Sequence, residues 1–179
     1  MALCASLKLT SSSPLSPPNQ GHGKLRDAVY VASVPLRAAR GPPQLLMSAA
    51  YSLGLWDLQH FMVIIKPAQS QSKAVVFDFQ PQDPENIYLV LAALSGRRMP
   101  GVIMKRLLSR LPRKRCWFIG FSQADGVEMA RKFTEDWSTD LIVGKHDCRH
   151  YTTGLVQSLT GEQNVLDSLR GILRKEFIL

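Results

Sequence analysis

Two short apolar segments decide the fold: His60–Lys66, HFMVIIK, and Ala74–Gln80, AVVFDFQ. Both are rich in β-branched and aromatic residues and are short, so each is predicted to be a buried strand. The Gln- and Ser-rich residues 67–73 between them are predicted to form a loop, which makes the pair an antiparallel hairpin. If Ser70 centres the turn, the numbers of paired residues sum to about 140, and His60 then lies on the side of Asp78 and Gln80.

The other elements are predicted from helical periodicity and from apolar runs. Helices are expected at Asn86–Leu94, Val102–Leu111, Ala124–Trp137, Asp147–Leu159 and Asn164–Phe177, a strand at Arg115–Phe121 and a short apolar stretch at Leu141–Val143. Strands and helices do not alternate regularly along the chain. The sequence therefore predicts an α+β fold, with a small antiparallel sheet packed against helices.

The first fifty residues differ in composition from the rest of the chain. They hold seven serines, six of the eleven prolines, five basic residues and one acid, Asp27. A Ser-rich, acid-poor segment is typical of organelle transit peptides, and it also fits a disordered tail. Ser and Pro dominate and no Arg-rich amphipathic helix is evident near Met1, which favours a plastid over a mitochondrion. We therefore expect residues 1–50 to be a disordered, cleaved transit peptide and residues 51–179 to be one folded domain.

Charge and cysteine content narrow the classes of function. The chain has 22 basic and 14 acidic residues, a net charge of +8, and half of that charge lies in residues 1–50. The mild basicity of the remainder argues against nucleic-acid binding. Cys116 and Cys148 are too few for a disulfide scaffold, so free thiols in a reducing compartment are expected. No phosphate-binding or dinucleotide motif occurs, and no cofactor is implied.

The stretch KHDCRHY, from Lys145 to Tyr151, holds the strongest candidate for chemistry. Asp147 is a favourable N-cap, which places Cys148 at the first position of a helix. There the helix dipole and the neighbouring cations favour a thiolate, and backbone N–H groups could hold an oxyanion. Cys148 is therefore a candidate nucleophile, although a cysteine more often serves as a small buried hydrophobe.

A nucleophilic cysteine requires a base. His146 and His150 are close in sequence, but a residue two positions away on a helix points elsewhere. His60 opens the first strand and is the predicted base. Asp78 or Gln80, on the other strand of the hairpin, is predicted to orient the imidazole, following the nucleophile, base and orienter logic of cysteine hydrolases.

These segments resemble the lecithin:retinol acyltransferase-like proteins. In that family a strand opens with His, the next strand ends near a polar residue and a proline, and a late Asn-Cys-x-His-Phe motif lies on a helix. The matching segments here are HFMVIIK, VVFDFQP and DCRHY followed by TTGLVQSLTG. The resemblance implies a circularly permuted papain-like fold with Cys148 as nucleophile, His60 as base and Asp78 as orienting residue. Asp147 stands where the family usually has Asn, and Asp78 stands where a His is frequent.

Two further features are candidate binding sites. The spacing His146-x-Cys148-x-His150 contains zinc-binding residue types, but no CxxC or HxxxH motif accompanies it, so no metal site is predicted. Eight basic residues and no acid lie in the stretch from 97 to 115: Arg97, Arg98, Lys105, Arg106, Arg110, Arg113, Lys114 and Arg115. Because they are interleaved with Val, Ile and Leu, the predicted helix there is a candidate for an anionic membrane surface, and an ordinary solvated face is the plainer interpretation.

Taken together, these features predict a thiol-dependent hydrolase or acyltransferase acting on an ester, thioester or amide through Cys148 and His60. The alternative is a non-catalytic plastid protein of the same fold that binds a partner or a membrane surface. The negative charge of Asp147 next to the thiol favours that alternative, whereas the joint presence of His60 and Cys148 favours the enzyme.

Overall fold

The computed structural model describes residues 26–35, 59–68, 73–84 and 86–169. Six strands lie within these ranges: Ala28–Pro35 (β1), Gln59–Lys66 (β2), Ala74–Pro81 (β3), Met99–Leu108 (β4), Cys116–Phe121 (β5) and Asp140–Leu141 (β6). They form one antiparallel sheet in the order β5-β1-β2-β3-β4-β6. The predicted strands at His60–Lys66, Ala74–Gln80 and Arg115–Phe121 are confirmed as β2, β3 and β5.

The helices are Ile87–Leu94 (α1), Gly126–Glu135 (α2) and Cys148–Thr160 (α3). Each begins after a side chain that accepts a hydrogen bond from the first turn, namely Asn86, Asp125 and Asp147. Residues 165–169 are also helical, and the rest of the helix predicted to end at 177 lies outside the described residues. Mixed helices with an antiparallel sheet confirm the predicted α+β class.

Strand β1 corrects the predicted boundary at residue 50. It lies inside the sheet and pairs with β2 along its whole length on one side and with β5 on the other. Its sequence, AVYVASVP, is rich in strand-forming residues, but the Ser and Pro around it dominate the composition of residues 1–50 and conceal the run. The folded domain therefore includes residues that the sequence assigned to a disordered leader. Residues 1–25 and 36–58 lie outside the described residues.

The residue before β1 ties this strand to the rest of the domain. The Asp27 carboxylate accepts one hydrogen bond from the Gly126 N–H at 2.8 Å and another from the Ala68 N–H at 2.9 Å. The Asp27 carbonyl accepts a third from the Ser122 N–H at 2.9 Å. These bonds connect the start of β1 to the first turn of α2 and to the end of β2.

Strand β4 corrects the second prediction, the helix at Val102–Leu111. The interleaved apolar and basic residues fit a helical period, but the segment pairs with the whole of β3, from Ala74↔Leu108 to Pro81↔Gly101. Tertiary pairing therefore outweighs the local pattern. Among the described residues, β6 pairs only with Met99 and Pro100 of β4, so most of β4 is an edge of the described sheet. Its basic side chains are of the kind that protects an edge from pairing with another chain.

The β2–β3 hairpin has the predicted register, but only three of the eight residues of each strand are paired with the other strand. The pairs are Val63↔Phe77, Ile64↔Val76 and Ile65↔Val75, whose numbers follow the predicted sum. Both strands are described in full, yet their ladder stops at Val63 and Phe77, whereas the β1–β2 and β3–β4 ladders continue to the strand ends. Beyond Val63 and Phe77 the two strands are open, and this open end is where the site lies.

Helix α3 packs over β2 and β3 and closes the main core. Its apolar stripe, Tyr151, Leu155 and Leu159, is fully buried, as the sequence predicts. The stripe meets the buried side chains Phe61, Val63, Phe77 and Phe79 of the two strands. Gly161 ends the helix with a positive φ of 82°, a conformation that glycine adopts without strain. No helix within the described ranges is long and apolar enough to cross a bilayer.

Candidate active site

The open end of the hairpin holds a buried histidine and a buried carboxylate. His60 is the second residue of β2, and Asp78 lies on β3, one residue past the last β2–β3 pair. Asp78 is 1 % exposed and His60 is buried. His60 Nε2 lies 3.9 Å from Asp78 Oδ1, the separation of an ion pair rather than of a hydrogen bond. Asp78, one of the two predicted orienting residues, therefore lies beside His60.

Helix α3 brings Cys148 to the same place. Cys148 is the first residue of α3, as the sequence predicts, and its thiol is free and half-buried. It lies close enough to His60 for its sulfur to raise the pKa of the imidazole. A sulfur at a helix N-terminus next to an imidazole is the arrangement in which a thiolate and an imidazolium stabilise each other.

The surroundings of His60 stabilise its protonated form. Burial lowers its pKa, but the Asp78 carboxylate and the Cys148 sulfur raise it by more, and the result is a pKa of about 9. Because that value lies above neutral pH, the imidazole is protonated at pH 7 in the folded protein. A histidine held as a cation beside a sulfur is a proton donor that is ready for a leaving group.

Arg106 on β4 completes the set. Its guanidinium makes an ion pair with Asp78 Oδ2, on the oxygen that does not face His60, and lies 4.0 Å from Met62 Sδ. The Arg106 side chain is 51 % exposed, whereas the Asp78 side chain is almost fully buried. Asp78 thus has a cation on each side, and four consecutive side chains run from α3 to β4: Cys148, His60, Asp78 and Arg106.

Asp147 caps helix α3, and its carboxylate accepts hydrogen bonds from several neighbouring groups. Its Oδ1 accepts hydrogen bonds from the Arg149 N–H at 3.0 Å and from His150 Nδ1 at 2.9 Å, and its Oδ2 accepts from the Gly144 N–H at 2.7 Å. Burial raises the pKa of Asp147, but these donors lower it by more. The His150 N–H is also within 3.4 Å. The cap therefore uses the N–H groups of Arg149 and His150, and of the first-turn donors an oxyanion would rely on the Cys148 N–H.

The candidate zinc ligands do not come together. His146 Nδ1 lies 2.6 Å from the Asp140 carbonyl oxygen, and its ring stacks on Trp137 with centroids 4.5 Å apart. His150 is held by Asp147. Across the residues that the structure describes, no group of three His, Cys, Asp or Glu side chains is placed to hold a metal ion.

The open end also holds three of the buried polar atoms that lack a hydrogen-bond partner among the described residues; the others are on Ser33, Trp137 and Thr152. Gln59 Oε1, His60 Nε2 and Asp78 Oδ1 are buried, and none has a hydrogen-bond partner among the described residues. Buried polar atoms without partners reduce stability, and a catalytic role is one explanation for their presence.

A groove of about 570 Å³ lies near the start of α3, lined by Asp147, His150, Trp137 and neighbouring residues, but it does not include His60, Cys148 or Asp78. The groove therefore lies beside His60, Cys148 and Asp78 rather than around them.

The sequence identified Cys148, His60 and Asp78, and the structure brings the three together. It did not identify Arg106, which appeared only as one of eight basic residues on a predicted helix. The signal that would find it is the β3–β4 register, in which Arg106 pairs with Val76, two residues from Asp78. Comparison of the chain with protein-family models, with curated proteins and with solved structures finds no match.

Proposed function

We propose that this protein is a thiol-dependent hydrolase or acyltransferase that acts on an ester, thioester or amide, with a permuted papain-like arrangement of its site. The observation that carries the proposal is the convergence of Cys148, His60 and Asp78 at the open end of the β2–β3 hairpin. The high pKa of His60, about 9, and the position of Cys148 at the start of α3 fit a thiolate–imidazolium pair.

The reaction has two steps. The Cys148 sulfur attacks the carbonyl carbon of the substrate, and His60 gives its proton to the leaving group as the carbon–leaving-group bond breaks. An acyl thioester on Cys148 results. An acceptor, either water or an alcohol or amine, then gives its proton to His60 while its oxygen or nitrogen bonds to the acyl carbon and the carbon–sulfur bond breaks. Asp78 holds the imidazole in the orientation that both transfers need.

The thiolate is tested by alkylation with iodoacetamide at pH 6, followed by peptide-resolved mass spectrometry. Cys148 is expected to react faster than a model thiol, and His60→Ala to slow it by about tenfold or more, because an adjacent cation stabilises a thiolate by that much. Cys116 is an internal control, since burial raises the pKa of its thiol to about 11. His150→Ala is the matched histidine control and should change the rate by less than about twofold.

Turnover is tested with p-nitrophenyl butyrate. The wild-type protein should release about one equivalent of nitrophenol in a burst and gain a butyryl group on Cys148, as covalent catalysis requires. Cys148→Ser should lose both signals. A Cys148 that reacts no faster than a model thiol, together with no acyl adduct, would return the protein to the non-catalytic alternative.

The second candidate function is binding to an anionic membrane surface. The observation that favours it is the apolar side chain of Leu107 on the basic edge strand β4, which is 65 % exposed and, by strand alternation, lies on the same face as Lys105. Arg98 and Arg106 are engaged by Asp140 and Asp78. The basic groups best placed for lipid are therefore Lys105, Arg110, Arg113 and Lys114, on and after β4. Vesicles with anionic lipid should bind the protein in a salt-sensitive manner, and equal binding to neutral vesicles would contradict the electrostatic contact.

The plastid-targeting proposal is now restricted to residues 1–25, because β1 belongs to the folded domain. These residues retain the Ser-rich, acid-poor composition, with one stretch of three consecutive serines and no acid. A reporter fused to residues 1–25 should accumulate in plastids in a shortened form. A reporter that stays cytosolic and full-length would contradict the proposal.

A further inference from the structure

Arg106 has no role in the proposed reaction, yet it forms an ion pair with Asp78, the residue proposed to orient the base. Asp78 is the most deeply buried acid of the site, and its two oxygens are divided between two cations: Oδ1 faces His60 at 3.9 Å and Oδ2 binds Arg106. The guanidinium is half-exposed, so it retains part of its hydration while the carboxylate has lost nearly all of its own. Such a one-sided arrangement lowers the cost of keeping Asp78 charged in the interior.

We infer that Arg106 is a positioning residue that fixes Asp78 and completes the charge balance on which the reactive thiolate depends. The inference rests on the proposed function. In the order Cys148, His60, Asp78, Arg106, the charges alternate as thiolate, imidazolium, carboxylate and guanidinium, and they sum to zero. Without Arg106 the set of four side chains has a net charge of −1, and that excess negative charge disfavours the thiolate.

Two alternatives to this role make different predictions. Basic residues on an edge strand also protect the edge from pairing with another chain, and any cation on β4 could do that. An ion pair that only stabilises the fold would change the unfolding free energy without changing the reactivity of Cys148 in the folded protein. The charge-balance role alone predicts that the effect of Arg106 on Cys148 reactivity disappears once the Asp78 charge is removed.

The experiment measures iodoacetamide labelling of Cys148 at pH 6 in the full chain, per folded molecule. Arg106→Met should slow labelling by about fivefold, because a half-exposed charge is partly screened. Arg106→Lys, which keeps the charge, should stay close to wild type, and so should Arg110→Met, a matched loss of charge just beyond the same strand. The double variant Arg106→Met with Asp78→Asn should label at the rate of Asp78→Asn alone, because without the carboxylate the guanidinium has no charge left to balance.

The outcomes separate this inference from the proposed function. If wild-type Cys148 reacts no faster than a model thiol, the proposed function fails and Arg106 has no thiolate to support. If His60→Ala is slow while Arg106→Met matches wild type, or if Arg106→Met slows the Asp78→Asn variant by the same factor as it slows wild type, the role of Arg106 is overturned and the triad stands. If Arg106→Met does not fold, Arg106→Gln, which can still donate a hydrogen bond to Asp78, is measured in its place with the same expectation.

Discussion

The two halves of the β2–β3 hairpin follow opposite rules. In the paired half, Val63, Ile64 and Ile65 face Val75 to Phe77, every side chain is apolar and buried, and the backbone ladder is complete. In the open half, Gln59, His60 and Asp78 are polar, and each has a buried atom without a hydrogen-bond partner among the described residues. The paired half supplies stability, and the buried polar groups of the open half, which the proposed function uses, cost some of it.

What keeps the open half in place is the neighbouring strand on each side. β1 pairs with β2 as far as Pro35↔Gln59, and β4 pairs with β3 as far as Pro81↔Gly101. His60 is therefore fixed by β1 and Asp78 by β4, although the two residues belong to strands that are not paired with each other there. The site depends on elements that are distant from it in sequence, which is how the contrast between the halves can be tested.

The largest effect is expected from removing β1. A chain that starts at residue 51, as the predicted cleavage would leave it, lacks the strand between β2 and β5 and should not fold. A chain that starts at residue 26 retains β1 and Asp27 and should fold with a cooperative thermal transition. Circular dichroism and thermal melts of the two chains decide this. Equal melting of both chains would mean that β1 is dispensable and that the open half is held by other contacts.

The next effect separates the two halves directly. Ile64→Ala in the paired half should destabilise the protein by about 2–5 kcal/mol, because Ile64 is fully buried and leaves a cavity. Its labelling rate at Cys148, measured where the protein is folded, should match wild type. His60→Ala in the open half should do the reverse, with a smaller loss of stability and slow labelling. Urea denaturation gives the stabilities, and similar losses of labelling in both variants would erase the distinction.

The elements of the hairpin could be predicted because their signals are local. Five consecutive apolar residues specify β2, a similar set specifies β3, and an N-cap aspartate specifies the start of α3, so His60 and Cys148 follow from short segments. Strand β1 is not predicted from composition, because the Ser and Pro residues around it dominate residues 1–50. The local pattern of β4 predicts a helix because its interleaved apolar and basic residues fit a helical period. Arg106 depends on the register between β3 and β4, which long-range pairing sets and no local pattern encodes.

The pH dependence of stability should come from the open half. The pKa of His60 is raised to about 9 in the folded protein from about 6.5 in the unfolded chain, so its contribution is complete below about pH 6.5. It is lost as the pH rises through about 9, when the imidazolium of the folded state loses its proton. We expect a fall on the order of 2 kcal/mol between these limits in urea denaturation. His60→Ala should flatten this part of the curve, and Ile64→Ala should keep it; a wild-type curve that rises from pH 6.5 to 9 would contradict the assignment.

The smallest effect is expected at Asp147, on the helix that faces the open half. Asn at this position keeps one oxygen for the cap, but it replaces the oxygen that accepts from Gly144 with an amide group that cannot accept. The loss should be about 1 kcal/mol at pH 7. The donors lower the pKa of Asp147 in the folded protein, so its advantage is present above about pH 4 and is lost as the pH falls through the lowered value. Wild type and Asp147→Asn should therefore converge in acid.

Labelling gives the complementary measurement for the same variant. Removing a negative charge beside the thiol should raise the rate at Cys148, but only by about twofold, because His150 and the backbone N–H groups already offset the Asp147 charge. Asp140→Asn is the control, since that acid is exposed and its side chain pairs with Arg98 rather than capping a helix. It should leave both stability and labelling nearly unchanged. If Asp147→Asn raised the labelling rate as strongly as His60→Ala lowers it, the charge of Asp147 would act mainly on the thiolate rather than on the helix cap. That result would support the non-catalytic alternative.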